Sequence, residues 1–219
     1  MKVLGKNNRG TYVLKASVII LFSIFLFFLI LSPVMAGHES SIYQNGQENV
    51  AETVQDGDFS GVDISQEGDL NVADEIHQVG SWHWAEIGQF GTANTVELWQ
   101  NGYLNRAAVI QEGAFHQAYI TQNGDGNEVV LVQNESDNEA HITQDNDINY
   151  ADIKQNDSGN YLDLWQMGYR SCELVQEQSV SVLHTDGSGI PLIVEHYGYR
   201  GIQFIQEQNG NNSITFQSY

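Results

Sequence analysis

Glutamine returns along this chain at a fixed step: residues 44, 55, 66, 78, 89, 100, 111, 122, 133, 144, 155, 166 and 176 are all Gln, at intervals of eleven except for one of twelve and one of ten. A period of this kind constrains the architecture before any local propensity does, because every unit must offer the same faces to its neighbours. Counting each Gln as zero, glycine holds plus two in eight consecutive units, as Gly46, Gly57, Gly68, Gly80, Gly91, Gly102, Gly113 and Gly124. Asn holds plus five in most units, and Ser60, His83 and His116 fill the exceptions. Plus seven is small or branched (Ala51, Val62, Ala73, Ala85, Val96, Ala107) and plus nine mostly aliphatic (Ile64, Ile87, Leu98, Val109, Ile120).

Positions five, seven, nine and eleven share a parity, so on an extended strand Asn, Ala, Ile and Gln all point to one face. The positions between them carry Glu52, Asp63, Glu86, Glu97, Asp152 and Asp163 among polar and aromatic residues, the pattern of a solvated face. An α-helix would scatter these stripes around its circumference, and a Gly in every unit would weaken it. Each unit is therefore predicted to be a strand of about five or six residues and a turn of the form x-Gly-x-x-Asn. In that turn Gly supplies a positive φ and Asn tolerates the left-handed region. Two units close one coil. Coils stacked ~4.8 Å apart give an all-β fold, a β-solenoid resembling a parallel β-helix, with two stacked parallel sheets. The recurrence of Gln then has a physical reason: a buried amide is costly alone, but in a stack each copy donates to one neighbour and accepts from the other.

The array reads as one body from 44 to 178, preceded by a short segment at 37–43 and a different material at 1–36. There Lys2, Lys6, Arg9 and Lys15 precede "ASVIILFSIFLFFLIL" and then "SPVMA", with Ala36 at the cleavage point: a secretory signal peptide, or, if uncleaved, an anchor. Without this leader the chain retains Arg106, Lys154, Arg170 and Arg200 against 28 acids, net −24, which excludes nucleic acid as a partner. Cys172 stands alone, so no internal disulfide is available and the residue reads as a small apolar filler. Through 179–196 the period falters, and Gly187, Gly189 and Pro191 suggest an irregular loop; 197–219 resumes the rhythm as divergent capping repeats.

The pattern Gln-x-Gly-x-x-Asn-x-Ala-x-Ile-x-Gln, restated behind a leader, resembles the curlin repeat of bacterial curli fibre subunits. The resemblance implies a secreted subunit, exported through an outer-membrane pore with accessory factors. It implies polymerisation with itself and other curlin subunits at a Gram-negative cell surface as a functional amyloid, serving adhesion to surfaces or host matrix and the biofilm. Its stacking positions correspond here to Gln44, Asn49, Gln55, Gln66, Asn71, Gln78, Gln89, Asn94, Gln100, Asn105, Gln111, Gln122, Asn127, Gln133, Asn138, Gln144, Asn149, Gln155, Asn160 and Gln166. The array is longer than in many family members, and its acidity inclines the reading toward the major rather than the nucleating subunit.

The same residues bear on other functions. An enzyme on a parallel β-helix needs a cleft built from long loops, and the regular units have almost no insertions; no cofactor is called for. A calcium-binding secreted β-roll is the alternative: the turns at Glu135, Asn146 and Asp157 lose their glycine, and Asp145, Asp147 and Asp157 are weak candidate ligands. Against it, the period is eleven and the paired-glycine nonapeptide is missing. His83 and His116 are read as polar stand-ins for Asn. Trp82, Trp84, Trp99 and Trp165, with Tyr103, Tyr119, Tyr150 and Tyr161, are read first as β-formers that pack between fibres, and second as a carbohydrate- or surface-binding face.

Overall fold

The computed structural model describes residues 37–168 and 171–176 in full, and the backbone alone of the strands at 2–4, 12–17, 27–31, 180–186 and 192–197. Sheet I stacks β5 (Val50–Asp58), β7 (Val72–Ser81), β9 (Thr95–Tyr103), β11 (Gln117–Asp125), β13 (Glu139–Asp145), β15 (Tyr161–Met167) and β17 (Val180–Asp186) in that order. Sheet II stacks β4 (Glu39–Asn45), β6 (Gly61–Asp69), β8 (Trp84–Thr92), β10 (Arg106–Ala114), β12 (Glu128–Ser136), β14 (Tyr150–Asn156), β16 (Ser171–Glu177) and β18 (Leu192–Tyr197). Within both series every pairing is parallel. Successive strands alternate between the sheets, so two units make one coil and like positions stack: Gln89 pairs with Gln111, and Gln111 with Gln133. Three further strands, β1 (Lys2–Leu4), β2 (Tyr12–Ser17) and β3 (Phe27–Leu31), pair antiparallel, β2 with β1 and β5, and β3 with β4. Of the expected leader only the backbone of these three strands is described, and the cleavage point at Ala36 and the capping repeats beyond Tyr197 lie outside the described residues.

Period-two alternation in the sequence becomes alternation in burial: along Gln117–Asp125 Ala118, Ile120 and Gln122 are buried while the residues between them are not. One column of Ala and Val, one of Ile and Leu and one of Gln therefore fill the space between the sheets. Each fully buried Ile or Leu contributes roughly 1.5–3 kcal/mol. Cys172 falls in the small-residue column beside Ala151, and burial pushes its thiol up to about 12, so it acts as a filler and not as a reactive group.

Three expectations need correction. Strands in the middle of the array run nine residues, not five or six, because the glycine of each turn stays in the ladder (Gly91 pairs with Gly113) and lengthens the strand past Gln. The array also begins before Gln44, at β4. The stretch 179–196 is not a loop throughout: β17 and β18 continue both sheets, with Leu183 paired to Leu164, Leu192 to Cys172 and Val194 to Leu174 after the Gln and Gly markers are lost.

The two irregular intervals are absorbed locally. The twelve-residue step produces a bulge in β7, where the register shifts between Ala73 and Ile76 and Glu75 takes a φ of 52°, and Gln55, Gln78 and Gln100 stay aligned. After the ten-residue step Cys172 still pairs with Ala151, so the missing residue comes from the turn before Ser171.

Candidate functional site

The glutamines form two continuous amide ladders. In sheet II each Nε2 donates to the Oε1 one coil on, Gln44 to Gln66 to Gln89 to Gln111 to Gln133 to Gln155 to Gln176, at 2.7–3.0 Å. In sheet I the same chain links Gln55, Gln78, Gln100, Gln122, Gln144 and Gln166 at 2.8–2.9 Å. Gln44, in the first coil, is half-buried; the others are buried. The remaining amide hydrogen spans the core: Gln111 donates to the Thr95 carbonyl at 2.9 Å and Gln122 to the Arg106 carbonyl at 2.9 Å, each on the opposite sheet. From Gln66 to Gln155 each Gln thus ties its coil to the next and sheet I to sheet II, a double duty that neither Leu nor Glu can perform. The carbonyl contact also settles which end of the amide is nitrogen, so all the ladder bonds point one way.

The Asn positions work differently from the expected side-chain stack. Asn Oδ1 accepts the backbone N–H of the residue one coil on: Asn71 from Asn94 at 3.2 Å, Asn94 from His116 at 3.1 Å, Asn105 from Asn127 at 2.9 Å and Asn127 from Asn149 at 2.9 Å. Asn Nδ2 reaches turn carbonyls, as Asn105 does to Asn101 at 3.0 Å and to Gly124 at 2.8 Å. Asn49 and Asn138 bond in the same manner, and only Asn149 and Asn160 add an amide-to-amide bond, to Asn127 and Asn138. Asn149 Oδ1 is buried and has no partner among the described residues.

His83 and His116 occupy the two Asn columns. His83 Nδ1 accepts the Asn105 N–H at 3.3 Å, which places the ring proton on Nε2, 3.0 Å from the Val79 carbonyl. His116 repeats this with Asn138 and Glu112. Burial lowers both rings below the usual histidine value, against a smaller opposing pull from those carbonyls. Ser60 Oγ serves as a third stand-in, accepting from His83 N–H at 3.3 Å.

Glycine at plus two is required by close approach. A Cβ on Gly91, where φ is 123°, would lie 1.9 Å from the Gly113 carbonyl oxygen. The left-handed residue of the turn is not Asn, as expected, but the one before it: Phe59, Leu70, Trp82, Leu104, Phe115 and Ile148 all sit at φ of 55–62° with their side chains exposed. The amides of Leu70, Trp82, Leu104, Phe115 and Ile148 donate to the neighbouring coil, Trp82 to Asp58 O and Leu104 to Ser81 O at 3.0 Å, so the ladder itself holds a conformation costing about 1 kcal/mol per bulky residue. Sequence reasoning missed this position because no residue type marks it.

On the solvated faces Asp63 pairs directly with Glu86, as the coil register requires, but the acidic column then gives way to Ala108 and Val130. On sheet I burial raises Glu97, and Glu75 and Asp74 add to the rise by repulsion. Asp145 accepts from Asn123 at 2.9 Å and from the Trp165 indole at 2.8 Å, and Asp147 accepts the Asp125 N–H at 2.9 Å. Among the described residues the structure brings together no three metal-ligating side chains. The outward aromatics divide: Trp82 stands on a turn, Trp84 on β8 in sheet II, and Trp99 and Trp165 share a column of sheet I.

The model of the Curlin associated repeat matches residues 91–124 and 105–134. These segments contain β9 to β11 and the centre of both ladders, and residues 91–134 are similar to curlin-associated repeats. No curated protein and no solved structure matches the chain.

Proposed function

Starting from the similarity of residues 91–134 to the Curlin associated repeat, we propose that this chain is a secreted structural subunit of a curli-like extracellular fibre, which polymerises end to end and serves surface adhesion and the biofilm matrix. The observation that carries this reading is the uniform direction of the Gln ladders. Every bond runs from the amide nitrogen of one coil to the amide oxygen of the next, so the stack has a direction, a head and a tail. A heterologous head-to-tail contact of this kind does not close on itself and generates open filaments. Strand edges at the ends would pair in the same manner, as in cross-β assemblies.

The leader and the net charge of −24 without it agree with export and with a monomer kept soluble by self-repulsion. On this reading the partners are further copies of the chain, other curlin subunits, and an outer-membrane pore with its accessory factors, and the mature fibre stands on a Gram-negative type cell surface. No step of chemistry is assigned to it.

The test is assembly of the purified chain without residues 1–36, followed with an amyloid dye and fibre diffraction. Growth that is seeded by preformed fibres, with reflections at about 4.7–4.8 Å along the fibre and ~10 Å across it, is expected. A protein that stays monomeric and folded at every concentration refutes the proposal.

A further inference from the structure

On the outer face of sheet I one column runs His77, Trp99, Thr121, Thr143 and Trp165, one residue per strand from β7 to β15. Two indoles thus stand three strand spacings apart, about 14 Å, and only threonines lie between them. Trp99 is backed on one face: the His77 ring lies flat on it, with centroids 4.1 Å apart and planes within 5°. Its exposure is nonetheless 45%, and a groove of about 430 Å³ opens beside it, lined by Val79, Trp99, Gln100, Asn101, Thr121 and Asn123. At the far end the Trp165 indole is latched by its N–H to Asp145, whose second oxygen accepts from Asn123. The opposite wall is aromatic too, Tyr119 stacked on His141 at 4.7 Å, with the Tyr119 hydroxyl donating to Gln117 Oε1 and His141 Nε2 2.7 Å from Glu139 Oε1.

We propose that this slot binds a neutral glycan. A pyranose ring has an apolar C–H face and a rim of hydroxyls. The C–H face suits the electron-rich face of an indole, and the rim suits side chains that both donate and accept. Trp99 and Trp165 provide the platforms, and Asn101, Asn123 and Thr121 the rim contacts. β-propensity accounts for aromatic residues on an outer face, but not for a backed indole, a latched indole and a floor of short side chains between them.

Charge selects against acidic polymers. Glu97, Glu139 and Asp145 border the slot, whereas Arg106 and Lys154 belong to β10 and β14 in the other sheet. The slot is complete within one chain and does not depend on polymerisation; in a fibre each copy would repeat it, and binding to a polysaccharide would become multivalent.

The test is calorimetric titration of the full chain with cellohexaose, chitohexaose and maltohexaose, and with polygalacturonate as the anionic counterpart, pelleting being scored in parallel to separate binding from assembly. Saturable binding of at least one neutral hexasaccharide is expected, weakened at least about tenfold in Trp99→Ala and in Trp165→Ala. It should be unchanged in Trp84→Ala, on the other sheet, and largely kept in Trp99→Phe. Thr121→Trp suits a strand and fills the slot, so it should abolish binding even if an alanine variant fails to fold. Absence of binding to all three neutral glycans, equal binding by polygalacturonate, or undiminished binding by Thr121→Trp overturns the proposal.

Discussion

Gln111→Glu tests the ladder with almost no change in shape. The Gln111 amide nitrogen donates to Gln133 Oε1 at 2.8 Å and to the Thr95 carbonyl at 2.9 Å, and its oxygen accepts from Gln89 at 3.0 Å. An ionised carboxylate has no hydrogen for either acceptor and loses its hydration in a fully buried column. A protonated one keeps a single O–H and leaves one acceptor unmet, at about 1–3 kcal/mol. The folded-state pKa of the new side chain is therefore raised above its unfolded value of ~4.3. Raised means that the variant binds the proton more tightly when folded. Its deficit against wild type is then smallest below pH ~4.3 and grows with pH by about 1.4 kcal/mol per unit until the folded pKa is passed. Between pH 4.3 and 7 this amounts to roughly 3.7 kcal/mol, and with the unmet acceptor to about 5 kcal/mol or more, most of the stability of an ordinary domain. Guanidinium unfolding followed by circular dichroism at pH 4, 5, 6 and 7 measures it, with Gln111→Leu as a control whose deficit carries no proton. A Gln111→Glu deficit that stays flat across that range would refute a buried, donor-dependent Gln111.

Three further outcomes are expected. His83 and His116 are depressed by burial and accept through Nδ1, so folded protein loses stability as pH falls through the unfolded histidine value of ~6.5, at up to about 1.4 kcal/mol per unit for each ring; the double variant to Asn should flatten the unfolding midpoint between pH 5 and 7. Gly91→Ala, which sets a Cβ 1.9 Å from the Gly113 oxygen, should cost about 4 kcal/mol or more, whereas Gly159→Ala, with φ of 79° and nothing within 4 Å, should cost about 1 kcal/mol, as read from thermal melts. Glu97→Gln removes a carboxylate raised by burial and by Glu75 and Asp74, so it should stabilise the protein at pH 7 and make no difference at pH 3–4, where the native carboxyl is already neutral.

Much of the interior was legible because its signal is parity and period, which depend on no single contact. Ala107, Val109 and Gln111 lie on one face of any strand, and a stack aligns like with like, so Gln89, Gln111 and Gln133 had to meet. What stayed hidden depends on directions that a period does not encode. The bond from Gln111 to Thr95 crosses between sheets, and it needs the separation and stagger of β9 and β10. The Asn side chain is one methylene shorter than Gln and, from its place beside the turn, reaches backbone N–H groups of the next coil in place of its own kind. Phe59, Trp82 and Phe115 gave no sign of a left-handed backbone, since bulky residues seldom adopt one; the coil geometry imposes it.

The crossing bond also decides what the period could not. An amide ladder alone is satisfied equally well by donation toward either end of the stack. Because the second amide hydrogen of each Gln must reach a carbonyl of the opposite sheet, the nitrogen is fixed on one side, and Gln66, Gln89, Gln111 and Gln133 all donate toward the C-terminal coil. Within the stack a Gln turned the other way would set oxygen against oxygen or nitrogen against nitrogen in its ladder, so one direction is shared from Gln44 to Gln176. The polarity of a fibre built from this chain is thus written in the bonds that hold its two sheets together.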